Sequence, residues 1–364
     1  MPLFRKDPFG RAWVLLSPER GLEPSDFGSV PPAPAVSPLS PGNEGRLGPE
    51  MAAVRPATSG VGSPDWRIRS FAHPAGIVSA KPGHVDEGTS LFRQAPALGH
   101  HELIVEHPDA GERLETMNPA HLTEVLRFYR DRLAVAAARP GVRHVQVTRS
   151  VGRAAGALYE HPHGQLLAVP VTNRWVEEEA QVAAEHHRER GSCLFCDVTA
   201  RELELRERVV TENEAFVALT PFASKTPFET WILPREHASS FTSVAANSLP
   251  LLADLLQVLV RGLVDALDNP PYNLTLHTAV QAGRQADERP QFPSGSDADN
   301  LHGSLLPPGG LTDPRSADPN QHGIRQGTEP GRPFSIHRYA SMTGISISRK
   351  GHRRYCARSL GYFR

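Results

Sequence analysis

The chain has 364 residues, with 39 Lys and Arg, 40 Asp and Glu, and a formal net charge of −1 at pH 7. This length allows about two or three domains, and the balanced charge gives no electrostatic reason to expect a nucleic-acid partner. We find no stretch with the length and apolarity of a signal peptide or a membrane span, so we expect a cytoplasmic protein that binds no membrane.

The first predicted elements are two paired strands near the N-terminus, joined by the turn sequence "DPFG". The second of these strands is the apolar segment "AWVLLS". From Glu23 to about Asp65 the composition shifts to Pro, Gly, Ser and Ala, which predicts a long irregular segment.

Two later blocks repeat one order of elements: strand, connection, capped helix, strand. The first block contains "GHHELIVE", a helix that begins at Asn118 and Pro119, and "GVRHVQVTRSV". The second contains "ETWILP", the helical "LPLLADLLQVLVRGLVDAL" and "PYNLTLH". Asn-Pro is a frequent helix start, and the apolar residues of the first helix fall at helical spacing. The sequence therefore predicts one structural unit used twice.

Between the blocks, the segment "ALYEHPHGQLLAVP" places His161, His163 and Gln165 at alternate positions before an apolar run. Because side chains alternate faces along a strand, these three should project from one side. The spacing alone fits a reactive site, a surface strand end with incidental histidines, or structural histidines bonded to backbone carbonyls.

The segment "EHPHGQLLAVP" after "GRAAGA", with "DPFGRAWVLLSPERG" and "SPGNEGR" upstream, resembles the galactose-1-phosphate uridylyltransferase family. This family belongs to the histidine-triad superfamily and includes nucleoside-diphosphate-sugar phosphorylases. The stretch "ENEAFVALTPFASKTPFETWILPREHASSF" is similar to the same family. The resemblance implies an α+β fold of two related histidine-triad-like halves, each a mainly antiparallel sheet with packed helices. We expect an N-terminal half at 1–178, an incomplete C-terminal half at 179–281 and a low-complexity tail at 282–364.

The resemblance implies a nucleotidyltransferase that moves a nucleoside monophosphate from a nucleotide sugar to a sugar 1-phosphate. In that reaction His163 would be the nucleophile, with its other ring nitrogen bonded to a backbone carbonyl. Gln165 would hydrogen-bond a phosphoryl oxygen in the transition state, and an amide there favours transfer over hydrolysis. The residues assigned to substrate binding are Arg20, Arg153, Gly156 and His161.

The resemblance also implies metal sites. In the family the counterpart of His161 helps to bind a structural zinc with an N-terminal Cys-x-x-Cys, but here Ser37 and Ser40 replace the thiolates. Neutral hydroxyls are poor zinc ligands, so we expect that site to hold no zinc, with His101 and His161 as hydrogen-bonded partners. One structural zinc is expected in the second half, and its predicted ligands are Cys193, Cys196, His237 and His277.

The family's second half ends in a strand that reads like Asp-Trp-His-x-His-Leu-Glu, and this chain shows no such strand. Residues 342–349, "MTGISISR", can be back-translated so that a shifted frame encodes it. The tail is therefore either a natural disordered segment or the product of a frameshift after about Val280. The frameshift hypothesis predicts that the second half lacks its late strand and leaves an unpaired sheet edge.

Three other functions stay open at this stage. The acceptor could be inorganic phosphate, which gives a phosphorylase, or water, which gives a hydrolase. The third alternative is an impaired enzyme or an inactive zinc-stabilised binding protein. It stays open because Ser150 and Leu158 replace polar residues of the family. The expected partners are small molecules and a second copy of the chain as a homodimer.

Overall fold

The computed structural model describes residues 1–10, 12–18, 37–81 and 88–278, and the backbone of 303–306. Its helices are α1 (Pro119–Ala137), α2 (Arg174–Arg190), α3 (Leu194–Leu205) and α4 (Leu249–Leu267). Its strands are β1 (Leu3–Lys6), β2 (Trp13–Leu16), β3 (Glu50–Val54), β4 (Ile68–Ala72), β5 (Gln94–Pro96), β6 (His100–Val105), β7 (His144–Val151), β8 (His163–Val169), β9 (Val209–Glu212), β10 (Phe216–Leu219), β11 (Thr230–Pro234), β12 (Tyr272–Leu276) and β13 (Gly303–Leu306). None of these helices is long and apolar enough to cross a bilayer.

Ten strands form one continuous sheet in the order β3-β4-β6-β8-β7-β12-β13-β11-β10-β9. Every neighbouring pair in it is antiparallel. The strands of the two predicted halves meet where β7 pairs with β12, with Tyr272 opposite Val151. The expected mixture of helices and mainly antiparallel sheet is therefore confirmed, and the two halves share a single sheet.

The predicted unpaired edge of the second half is wrong. The backbone of β13 lies between β12 and β11 and pairs with both, so that Leu305 is opposite Leu274 on one side and Thr230 on the other. Strand pairing uses backbone N–H and C=O groups, which every non-proline residue carries, so the family's strand sequence is not needed there. The rest of the predicted tail at 282–364 lies outside the described residues.

The repeated strand–helix–strand unit is present as β6–α1–β7 and β11–α4–β12. Helix α1 begins where predicted: Pro119 is its first residue, and the Asn118 side chain accepts a hydrogen bond from the Ala120 N–H at 2.9 Å. Helices α1 and α4 share one face of the sheet in a single apolar core. Central members of that core are Ile104, Leu126, Leu133, Leu166, Leu256 and Val260.

Helices α2 and α3 cover the opposite face of the second half, where Ala183 and Phe195 pack against Val217 and Leu233. Helix α1 packs against the face of β8 that carries Leu166 and Ala168. Because side chains alternate along a strand, the odd-numbered residues of β8 face the other way. The face of β8 that carries His163 is thus on the same side of the sheet as α2 and α3.

The predicted N-terminal strand pair is confirmed, since β1 and β2 are antiparallel with Leu3 opposite Leu16. Strand β5 adds a third member on the other side of β1. The segment from Glu23 to about Asp65, expected to be irregular, contains the strand β3 in its described part.

Candidate active site

Strand β8 sets the direction of the His-Pro-His-Gly-Gln side chains. His163 is its first residue and lies opposite Val105 of β6. Gly164 faces α1, where a Cβ atom would lie 2.2 Å from the hydroxyl oxygen of Tyr129. Packing therefore requires glycine at this position, and the alternation of the strand leaves His163 and Gln165 on the opposite face.

The His163 ring is held in one tautomer. Its Nδ1 lies 2.7 Å from the backbone oxygen of His161, and because a carbonyl only accepts, Nδ1 carries the hydrogen. Its Nε2 has no hydrogen-bond partner among the described residues, and the side chain is 2% exposed. Burial lowers the pKa of His163, which favours the neutral imidazole. The geometry thus presents a bare ring nitrogen with a lone pair.

A buried ion pair lies behind the histidines. The backbone N–H of Glu106 donates to the carbonyl of Pro162 at 3.0 Å, and the Glu106 carboxylate accepts from Arg149 Nε at 2.8 Å. The hydroxyl of Tyr129 also donates to Glu106, and Arg149 donates to the Tyr272 hydroxyl at 2.9 Å. These contacts join α1, β6, β7 and β12 directly beneath the motif.

The charge state of this network follows from its burial. Burial alone would lower the pKa of Arg149, but the Glu106 carboxylate raises that pKa well above its ordinary value. Burial and the neighbouring Glu106 charge raise the pKa of Tyr129, so its phenol stays a donor. This network was not predicted from the sequence. The available signal was a glutamate and an arginine within apolar strands, where buried charges need partners.

Gln165 has its own partner on the neighbouring strand. Its Oε1 lies 2.9 Å from Nε2 of His101, whose Nδ1 accepts from the Ile77 N–H at 3.3 Å. The His101 ring stacks on that of His73, with centroids 4.2 Å apart and planes 11° apart. His101 is therefore next to Gln165, and the structure does not place it as the partner of His161.

The His161 ring has both nitrogens engaged. Nε2 lies 2.6 Å from the backbone oxygen of His107, and Nδ1 lies 3.1 Å from Ser37 Oγ. Burial lowers the pKa of His161. Ser40 belongs to the same turn, since its N–H donates to the Ser37 carbonyl at 3.1 Å. The donor set of two serine hydroxyls and a hydrogen-bonded imidazole does not fit zinc.

Two of the four predicted substrate-binding residues, Arg153 and Gly156, lie in the turn that follows β7 and leads to β8. Arg153 opens a 3-10 turn, Arg153–Ala155, and its side chain is exposed. Gly156 ends that turn with a φ of +87°, in the left-handed region that favours glycine. Further along, the Tyr159 ring meets the His163 ring edge to face at 5.6 Å. Arg20 lies outside the described residues.

Three of the four predicted metal ligands come together. Cys193 precedes the first turn of α3, Cys196 lies within it, and His237 follows β11. Their ligand atoms all lie within 4.8 Å of one another, and Cys196 Sγ is 3.4 Å from His237 Nδ1. Tetrahedral zinc with ordinary bond lengths separates S and N ligands by about 3.6 Å. These residues therefore fit a metal ion.

His277 is not in that group. Its Nδ1 lies 3.9 Å from a carboxylate oxygen of Glu179 in α2. Burial and the adjacent Cys193 thiol raise the pKa of Cys196 to about 11. A metal ion has to displace a proton from this thiol, so metal binding at the cluster is coupled to pH.

The chain matches two domain models of one protein family. The family described as "Galactose-1-phosphate uridyl transferase, N-terminal domain" matches residues 77–173, and "Galactose-1-phosphate uridyl transferase, C-terminal domain" matches 178–292. An ADP-glucose phosphorylase of Arabidopsis thaliana is 29% identical over 285 residues, which cover 76% of this chain and 78% of that protein. A galactose-1-phosphate uridylyltransferase of Haemophilus influenzae is 27% identical over 289 residues, with coverage of 76% and 78%.

Solved structures share the fold. The crystal structure of an ADP-glucose phosphorylase from Arabidopsis thaliana with bound ADP-glucose has a TM-score of 0.63 and 26% identity. The matched region covers 84% of this chain and 89% of the chain in that crystal structure. A structure described as uridylyltransferase has a TM-score of 0.66 at 24% identity, which supports the fold alone.

Proposed function

Because the chain belongs to the galactose-1-phosphate uridylyltransferase family, whose members are enzymes, we propose that it transfers a nucleoside monophosphate from a nucleotide sugar to a sugar 1-phosphate. The observation that carries the proposal is the His163 ring, with Nδ1 bonded to a carbonyl and Nε2 bare. A neutral imidazole of this kind is a competent nucleophile at neutral pH.

The reaction takes two displacements. In the first, the lone pair of His163 Nε2 forms a bond to the α-phosphorus of the nucleotide sugar, and the bond from that phosphorus to the bridging oxygen breaks. Sugar 1-phosphate leaves with the electron pair of that bond. The ring then carries a positive charge, and its Nδ1–H keeps donating to the His161 carbonyl. In the second, a phosphate oxygen of the acceptor attacks the same phosphorus and the P–N bond breaks, which restores the neutral ring.

The burial of His163 sets a condition on this mechanism. At 2% exposure, the ring has to become accessible before a nucleotide sugar can reach Nε2. Tyr159 is edge-on to that ring and lies in the loop that follows Gly156, so displacement of this side chain would open one route to the ring. Binding energy from the rest of the substrate is available for this displacement.

The proposal is tested by trapping the intermediate. We expect the protein, incubated with radiolabelled UDP-glucose or ADP-glucose and then denatured, to retain acid-labile, base-stable label. His163→Asn should retain none. The matched control is His100→Gln, a histidine of the same sheet that contacts Arg139, and it should label like the wild type. Absence of label with both nucleotides would favour an inactive binding protein.

A phosphorylase is the second candidate, because the Arabidopsis relative that matches this chain is named ADP-glucose phosphorylase. The two acceptors are separated by chasing the labelled protein with inorganic phosphate or with galactose 1-phosphate. Release of a nucleoside diphosphate identifies a phosphorylase, whereas release of a nucleotide sugar identifies a uridylyltransferase-type enzyme. Release of nucleoside monophosphate without any acceptor identifies a hydrolase.

We further propose that Cys193, Cys196 and His237 hold one structural zinc ion. We also propose that the enzyme is cytoplasmic and forms a homodimer. Support for the zinc site comes from the close approach of the ligand atoms of these three residues and from the preference of zinc for thiolate and imidazole. Elemental analysis should find about one zinc per chain, and Cys196→Ser should lose it. Two zinc ions per chain would contradict our interpretation of Ser37 and Ser40.

A further inference from the structure

The hydrogen bonds around His101 fix its tautomer. A backbone N–H can only donate, so the contact from Ile77 requires His101 Nδ1 to be the acceptor. A neutral imidazole has one ring hydrogen, which must then reside on Nε2. That Nε2 lies 2.9 Å from the side-chain oxygen of Gln165, so the contact is an N–H donor facing a carbonyl acceptor.

These hydrogen bonds also fix the orientation of the Gln165 amide. An amide end can turn by 180° and exchange its oxygen for its NH2 group, and the two arrangements have opposite hydrogen-bonding properties. With the oxygen held by His101, the NH2 group is the part of Gln165 left to donate elsewhere. Gln165 lies on the same strand face as His163, two residues away.

We propose that His101 is a positioning residue that orients the Gln165 amide so that its NH2 group faces the phosphoryl group at His163. This inference rests on the proposed function, because it concerns the same phosphoryl group. Phosphoryl oxygens only accept hydrogen bonds, so the reversed amide would set two acceptors against each other. A preset donor costs no reorganisation when charge develops on those oxygens.

The surroundings of His101 hold it in place for this task. The ring is buried and stacks on His73 at 4.2 Å. His73 is itself anchored, since its Nδ1 accepts from the Ala75 N–H at 3.1 Å. The His73 ring and the Ile77 N–H therefore hold His101 in place, and His101 contacts Gln165 from the neighbouring strand, β6.

A double-mutant cycle on the rate of label formation tests the proposal. We expect Gln165→Ala to form label about 10²–10³-fold more slowly, which is the usual effect of removing one hydrogen-bond donor to the transition state. His101→Phe, which keeps a ring against His73, should lose about tenfold because the amide gains rotational freedom. His101→Gln keeps an N–H donor, so its labelling rate should fall less than that of His101→Phe. In the Gln165→Ala background, His101→Phe should have no further effect.

Equal losses from His101→Phe in both backgrounds would overturn the proposal, because His101 would then act independently of Gln165. Thermal unfolding of each variant separates this result from a general loss of fold. A second measurement needs no activity: nitrogen NMR of the full chain with labelled histidine should find the His101 hydrogen on Nε2. A hydrogen on Nδ1 would refute the inference, whereas a wild-type protein that forms no label would refute the proposed function alone.

Discussion

At the scale of single residues, Gly164 and Tyr129 show how the site depends on close packing from behind. The Tyr129 hydroxyl oxygen would lie 2.2 Å from a Cβ of residue 164, and this hydroxyl also donates to the buried Glu106. The tyrosine cannot move away without breaking that bond. The small residue in the His-Pro-His-Gly-Gln segment is thus required by the packing of Tyr129 against the ion pair beneath His163.

Gly164→Ala should destabilise the protein by about 1–3 kcal/mol, the usual cost of forcing an extra carbon into a packed core. The reason is the 2.2 Å separation from the Tyr129 oxygen. Denaturant unfolding measures this loss, and Gly141→Ala is unsuitable as a control because its φ is +78°. Gly45→Ala is suitable, since nothing lies within 4 Å of its added carbon. Equal stabilities of the two variants would contradict the packing argument.

The pH dependence of labelling also depends on a single residue, His163. Burial lowers the pKa of His163 below its ordinary value of 6.5, and the nearby Arg149 acts in the same direction while Glu106 opposes it. A histidine that acts as the proposed nucleophile has to be unprotonated, and a lowered pKa means that its ring binds a proton only at more acidic pH. We therefore expect the single-turnover labelling rate to fall to half its maximum at a pH below 6.5. A midpoint above 6.5 would contradict the account.

At the scale of elements, the Glu106–Arg149 pair joins the strands beneath the motif. The Tyr272 contact extends this network to β12, the strand at which the two halves meet. A buried ion pair of this kind contributes little net stability, but removing one partner leaves the other charge buried and uncompensated. We expect this ion pair to hold β6, β7 and β8 in register.

Arg149→Met should cost about 3–5 kcal/mol of unfolding free energy, because it leaves the Glu106 carboxylate in the core without a compensating positive charge. The matched control is Arg67→Met. Its ion pair with Glu124 is similarly short, at 2.7 Å against 2.8 Å for Arg149 and Glu106, but the Arg67 side chain is 56% exposed. The control should cost about 0–1 kcal/mol. Similar losses in both variants would show that burial of the pair does not matter.

The elements that the sequence predicted are those with local signals. Asn118 and Pro119 mark the start of α1, and the alternation around His163 marks β8, because caps and periodicity act within a few residues. Strand β13 was missed, since its place is decided by pairing with β11 and β12 rather than by its own residues. The partners of Gln165 and Glu106 were missed for the same reason: they lie on other strands and on α1.

At the scale of the whole molecule, one sheet runs through both halves, with α1 and α4 on one face and the catalytic candidates on the other. Three histidines of this sheet region are buried with lowered pKa values, and in each case burial is the largest cause: His144, His161 and His163. In the unfolded chain these residues titrate near pH 6.5, so below that pH the unfolded state binds more protons.

The unfolding free energy should therefore be highest above about pH 6.5 and should decrease as the pH falls below it. Urea unfolding at a series of pH values from 8 down to about 5 measures this trend. His144→Gln should reduce the slope, since it removes one of the three groups. A stability that stays constant or rises as the pH falls through this window would contradict the burial of neutral imidazoles.

The most direct test of the central claim is to locate the covalent intermediate. The protein is mixed with UDP-glucose or ADP-glucose, quenched in base, digested and examined by peptide mass spectrometry. We expect one added nucleoside monophosphate, on the peptide that contains His163 and on that residue within it. An adduct on another residue, or turnover of the nucleotide sugar by a His163→Asn variant at the wild-type rate, would contradict it.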